Sequence, residues 1–159
     1  MSVRTRVSAY AVALRDGRLL LARLAPASPV FAPGLWHLPG GGVDPGEQPV
    51  EALTRELHEE TGLPLTRARL LDARTYTAGR HGVDWHLTAL FYAVELGGAA
   101  PEVTETGGST EAAAWIPLAD LREPDLSPPA ADAVRMLGTG ASPAPPQVRA
   151  PAGPAPDGL

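Results

Sequence analysis

The chain contains no cysteine. That excludes disulfides, thiolate zinc sites and a cysteine nucleophile. It contains no lysine either, since all 13 basic residues are arginine. A mechanism built on a lysine nucleophile or Schiff base is excluded with it. Arginine without lysine, beside abundant alanine, proline and glycine, reads as the imprint of a GC-rich genome. No apolar run approaches the ~18 residues that a membrane span requires. Residues 1–14 place arginines before an apolar stretch, yet they alternate and run straight into a turn. With no small-residue cleavage site, the segment does not read as a signal peptide. Positive charge is short as well: the net charge of −5 argues against a partner held by its phosphate backbone. These absences point to a cytoplasmic chain that needs neither membrane nor nucleic acid. Its 159 residues fit one domain with a real core.

Residues 7–14 alternate as a strand, Arg15-Asp16-Gly17 signals a turn, and residues 18–24 read as the returning strand. A proline-rich loop fills 25–34, and a short strand at 35–38 ends at Pro39 and three glycines, Gly40 to Gly42. Such glycines permit positive φ and close backbone approach to a ligand. A helix should begin near Pro49 and stop at Gly62. Val50, Leu53 and Leu57 fall on its buried stripe, with Glu51 and Arg55 placed to pair at i, i+4. Further strands are expected at 70–77, 84–96 and 113–116, with a turn at 78–83 and a Gly/Thr-rich loop at 97–110. Residues 117–121 and 128–137 are short helical candidates. From Gly138 onward the chain is mostly Pro, Ala and Gly, with no aromatic. The division expected is a domain over 1–137 and a disordered tail over 138–159. Strands and helices mix without regular βαβ alternation, so the fold class is α/β with a mixed sheet flanked by helices.

The richest segment is 41–63, GGVDPGEQPVEALTRELHEETGL. Glu56, Glu59 and Glu60 stand at i, i+3 and i+4, which share one helix face. Three like charges there destabilise a helix unless something neutralises them. A hard divalent cation such as Mg²⁺ or Mn²⁺ does so through carboxylate oxygens. The triplet is expected off the buried stripe, facing a cleft or solvent.

The same segment resembles the Nudix box at every defined position: Gly41, five residues, Glu47, seven residues, Arg55-Glu56-Leu57, one residue, Glu59-Glu60, one residue, Gly62 and Leu63. The flanks LWHLPGGG and WIPLADL also look like the family, so the resemblance covers roughly residues 5–137. It implies the Nudix α/β/α sandwich with a mixed sheet between helices. It implies Mg²⁺- or Mn²⁺-dependent hydrolysis of a nucleoside diphosphate linked to another moiety. By the resemblance, Glu56, Glu59 and Glu60 are metal ligands and the Gly40 carbonyl is a further one. Arg55 would orient the glutamates and pair with Glu47. A carboxylate outside the box often completes such a site; Glu111 is the candidate and Glu105 the runner-up. The general base is either Glu56 or Glu111, with Glu56 preferred.

Substrate contacts are less defined. Trp36 either lines a nucleotide pocket or covers the core. Tyr76 either stacks on a base or serves as a strand aromatic, and Arg80 stands in the same specificity region. His37 and His86 read as polar residues at strand surfaces. Phe91 and Tyr92 point to opposite faces of one strand. The domain resembles the MutT-type (d)NTP pyrophosphohydrolases, acting on a small-molecule nucleotide as a monomer or homodimer. ADP-ribose or a nucleotide sugar is the alternative substrate, although the family marks for ADP-ribose and for diadenosine polyphosphates fall near Ala78 and Arg80 and are absent. A non-catalytic nucleotide sensor on the same fold is the reading from another class, and an isopentenyl diphosphate isomerase lacks its cysteine here.

Overall fold

A computed structural model of the chain describes residues 2–98, 100–104 and 107–138. Eight strands and two helices follow one another as β1 (Ser2–Val12), β2 (Leu14–Arg15), β3 (Arg18–Leu24), β4 (Trp36–His37), β5 (Gly40–Gly42), α1 (Pro49–Thr61), β6 (Leu65–Arg80), β7 (Val83–Leu96), β8 (Thr110–Pro117) and α2 (Pro128–Gly138). One sheet has the order β5-β1-β7-β6, with β1 parallel to β7 and the other pairs antiparallel. In the second, β3 pairs antiparallel with β2, β4 and β8. Mixed pairing flanked by two helices is the architecture expected.

Alternation along β1 sets the layers. Tyr10 and Val12 enter a core shared with Leu19, Leu21, Phe91 and the alanines of α2. Ala9, Ala11 and Ala13 face the other way, beneath Leu53 and Leu57 of α1. Three small side chains in a row let the helix lie close to the strand. Each buried leucine there contributes about 1.5–3 kcal/mol of transfer free energy. Phe91 and Tyr92 are both buried, on opposite cores, so the sheet is covered on both faces where they sit.

Several expectations need correction. Strand β1 begins at Ser2 rather than residue 7, because its exposed first half pairs in register with β7. Strand β6 runs over Leu65–Arg80, not 70–77, and the turn shrinks to His81-Gly82. Both turn residues have positive φ, 53° and 73°, the geometry of a two-residue hairpin whose twist matches its strands. Asp16-Gly17 does the same between β2 and β3, with φ of 51° and 73°. Residues 117–121 form only a single 3₁₀ turn, Leu118–Asp120. Helix α1 does span Pro49–Thr61 and closes at Gly62, whose φ of 68° is left-handed. The tail expected over 138–159 lies outside the described residues beyond Gly138.

Gly40 is the tightest position in the fold. Its φ is 136°, and a Cβ built on it would stand 2.0 Å from the carbonyl oxygen of Ala9. We expect Gly40→Ala to lower the unfolding free energy by more than about 3 kcal/mol, since strain and steric overlap add. Gly46, at φ 87° with open space around it, should lose only about 1–2 kcal/mol on the same change. Urea denaturation of the two variants checks the contrast.

Candidate active site

The 44–47 turn and α1 converge on one guanidinium. Arg55 Nε donates to Glu47 Oε2 at 3.0 Å and Nη2 to Glu47 Oε1 at 2.8 Å, a two-bonded fork that fixes both side chains. Nη2 also donates to the Gly42 carbonyl at 3.1 Å, and Nη1 to Glu56 Oε1 at 2.9 Å. Arg55 therefore ties the loop, β5 and α1 together. Glu47 is further held by the Asp44 N–H at 2.9 Å. These bonds, Arg55 first, bring the Glu47 carboxyl down to about 2 and push the Arg55 guanidinium above its ordinary range. The expected Glu51–Arg55 pair does not form, because Arg55 is engaged in this cluster instead.

Glu60 departs from expectation in an informative way. It is 3 % exposed, while Val50 is 41 % exposed. The buried stripe therefore runs through Leu53, Leu57, Glu60 and Thr61, which are spaced i, i+4, i+7 and i+8. Glu60 Oε2 accepts the Gly40 N–H at 3.2 Å, and its carboxyl lies beside that of Glu56, with which it lines one cleft. Burial foremost, then the Glu56 charge, raises the Glu60 carboxyl well above the carboxylate range. Two carboxylates in contact in a dry place require a proton or a cation between them. Gly41 makes the approach possible, since a Cβ there would lie 2.8 Å from the Glu56 carboxyl. Thr61, an undefined position of the box, is fully buried; it donates to the Leu57 carbonyl and accepts the Leu63 N–H.

The donor set fits a hard divalent cation: carboxylate oxygens, backbone oxygen, and no sulfur. Among the described residues no three acidic or imidazole side chains already stand as a closed metal cage. The third carboxylate, Glu59, is turned toward Arg55 Nη1 at 3.7 Å. Glu60, its carboxyl raised first by burial and then by the Glu56 charge beside it, is the part that answers to such an ion.

Beside this pair lies a cleft lined by Arg6, Tyr10, Phe31, His37, Gly41 and Ser109 among others. His37 is not a surface residue. It is 6 % exposed, its Nδ1 lies 2.5 Å from Ser127 Oγ, and its ring meets Tyr10 edge-on at 4.7 Å. Ser127 accepts the Ala130 N–H and so joins β4 to the start of α2. Burial, helped by the Arg6 charge, pulls the imidazole down to about 3, and burial pushes the Tyr10 hydroxyl up to about 12. His86, by contrast, is exposed on its strand as expected.

The remaining candidates are placed elsewhere. Glu111 pairs with Arg23 Nε at 3.1 Å. Tyr76 donates to Asp132 Oδ2 at 2.5 Å. Trp36 is half-buried against the larger core. Arg80 Nε donates to the Ser28 carbonyl at 2.7 Å and Nη2 to the Pro26 carbonyl at 3.1 Å, which anchors the loop that walls the cleft. Glu105 lies outside the described residues.

Comparison with known proteins places this site in context. The NUDIX domain family model matches residues 4–137. The chain is 33 % identical over 131 residues to the nucleoside triphosphatase NudI of Escherichia coli O1:K1 / APEC, covering 77 % of this chain and 89 % of that protein. It superimposes on the crystal structure of a MutT NUDIX hydrolase from Burkholderia pseudomallei with a TM-score of 0.65 and 34 % identity, covering 83 % and 97 % of the two chains. The MutT protein from Methanosarcina mazei Go1 shares the fold at a TM-score of 0.69 and 21 % identity, covering 87 % and 96 %.

His37 generates a pH prediction. Unfolded, a histidine takes up a proton near 6.5; folded, this one stays neutral down to about 3. The unfolded state thus binds more protons across that window, and stability is lost as pH falls from 6.5 toward 3. At pH 5 the loss is about 2 kcal/mol. We expect His37→Gln to remove this part of the difference between unfolding free energies at pH 7 and pH 5, measured by urea titration.

Proposed function

This chain belongs to the NUDIX family, hydrolases of phosphoric anhydride bonds in nucleotides that depend on a divalent metal, and we propose that within it the substrate is a nucleoside triphosphate cleaved as by MutT. The observation that supports this reading is the pairing of buried Glu60 with half-buried Glu56, braced by Gly40 and Arg55 at the mouth of a cleft. The similarity to a protein named as a nucleoside triphosphatase favours triphosphates over nucleotide sugars. The oxygen-only donor set favours Mg²⁺ or Mn²⁺. The activity is assigned to the cytoplasm, in a monomer or homodimer.

In this scheme Glu56, Glu59, Glu60 and the Gly40 carbonyl would hold the metal. A bound divalent cation supplies Lewis-acid neutralisation of the phosphate oxygens and acidifies a water. Arg55 keeps Glu56 in place by holding its Oε1, and Glu47 keeps Arg55 in place. Glu56 takes the proton from the attacking water as general base. Glu111, engaged with Arg23, is not needed for that step.

Product release measured over NTPs, dNTPs, ADP-ribose and nucleotide sugars, with each metal, tests the proposal. Metal-dependent turnover of triphosphates is expected; preferential turnover of ADP-ribose or a nucleotide sugar would replace it. Losing a ligand costs at least as much as losing an outer partner, so Glu60→Gln should lower turnover by roughly two orders of magnitude or more. The same variant should unfold at no lower temperature in EDTA, because an amide replaces a buried carboxylate. A Glu60→Gln enzyme of full activity would remove the ligand assignment.

A further inference from the structure

Among the described residues Arg6 is the only arginine lining the cleft beside the glutamate pair, and no part of the box points to it. It stands on β1 and is partly buried. Among the described residues no ion pair includes it, whereas Arg23, Arg55, Arg74 and Arg135 each have a carboxylate. Its Nε donates to Ser8 Oγ at 3.3 Å, and its guanidinium carbon lies 6.0 Å from the Trp85 ring centre. The first bond is long and ends on a neutral acceptor, and the second is at the outer limit of a cation–π contact. Most of the guanidinium's donors are therefore uncommitted inside a cleft, where a charge is left unpaired only at a price unless an anion arrives.

The position is as informative as the lack of a partner. A Cβ on Gly42 would stand 3.0 Å from the Arg6 guanidinium, and one on Gly41 would stand 2.8 Å from the Glu56 carboxyl. Successive strand residues face opposite ways, so carboxylate and cation flank the all-glycine β5 on its two sides, and both line the same cleft. A guanidinium presents a planar fork that matches a phosphate. An anionic chain crossing β5 would meet the metal-holding carboxylates at one phosphate and Arg6 at the next.

We propose that Arg6 is a phosphate-anchoring residue: it holds a substrate phosphate adjacent to the one attacked at the glutamates. The proposal rests on the triphosphate reading given above, and it deepens that reading by favouring a polyphosphate chain over a substrate whose second moiety is neutral. Arg6 positions substrate and does not transfer a proton, so its loss should appear in binding.

The full chain and its Arg6→Ala, Arg6→Lys and Arg6→Gln variants would be compared. The readouts are steady-state kinetics with a nucleoside triphosphate and calorimetric binding of a non-hydrolysable triphosphate analogue. Hydrogen bonds to a charged group lost in Arg6→Ala should raise KM and Kd about 10- to 100-fold, with kcat little changed. Arg6→Lys should recover part of the loss, and added salt should weaken binding less steeply in Arg6→Ala than in the wild type. Unchanged Kd in a folded Arg6→Ala protein overturns the proposal. Should Arg6→Ala not fold, Arg6→Lys against Arg6→Gln decides by the same measure. If the wild type hydrolyses no triphosphate, the functional reading fails by itself. Binding of inorganic tripolyphosphate then decides the role of Arg6: a tenfold or larger loss in the variant supports it, and equal or absent binding overturns it.

Discussion

The rest of the site depends on the four hydrogen bonds made by one guanidinium. Arg55 sits on α1, yet its partners come from three places: Glu47 from the preceding turn, the Gly42 carbonyl from β5 and Glu56 from its own helix. Arginine alone offers enough donors in a fixed plane to do this. The consequence is geometric. The glycine strand is held against the helix, and the Glu56 carboxylate is aimed before any ligand arrives. A lysine in its place would keep the charge and lose the fork.

That brace matters because the fold buries charge beside it. Glu60 continues the apolar stripe of α1 and ends beneath Gly40. A carboxylate in such a place weakens the metal-free protein, since its desolvation exceeds what one backbone N–H returns. The well-packed alanine row under Leu53 and Leu57 offsets that cost from the other end of the helix. The backbone of the 100–104 segment contributes too: the N–H groups of Glu102 and Thr104 donate to the carbonyls of Thr61 and Glu59, closing the same end of α1 that Gly62 caps.

Much of this was legible from residues alone. The turn at Asp16-Gly17, the span of α1 and its glycine stop follow from local chemistry, whereas the meeting of Glu47 with Arg55 is implied by the resemblance to the box alone. What escaped depended on tertiary contact. His37 looked like a strand-surface residue because a two-residue strand has no readable face; only the docking of α2 through Ser127 buries it. Glu60 was placed off the stripe because it is charged, although the spacing from Leu57 already put it on. Arg6 sits in a polar, exposed run of β1 that shows no pattern until β7 pairs with it.

The long β6–β7 hairpin shows the same principle from the side of function. Its hydrophobic pattern supports only the inner part, yet the strands continue to Arg80 and Val83. The extension has a mechanical use. At its tip Arg80 reaches over to the carbonyls of Ser28 and Pro26, so the proline-rich loop is held by its backbone oxygens as well as by the burial of Val30 and Phe31 in the larger core. Ser28, in turn, donates to the Phe31 carbonyl. A residue first considered for touching substrate thus shapes the wall that substrate meets. The cleft is then bounded by a braced helix on one side and a tethered loop on the other, with an all-glycine strand between them. Rigid walls around a bare strand suit a ligand that binds by charge, because the protein need not reorder itself to receive it.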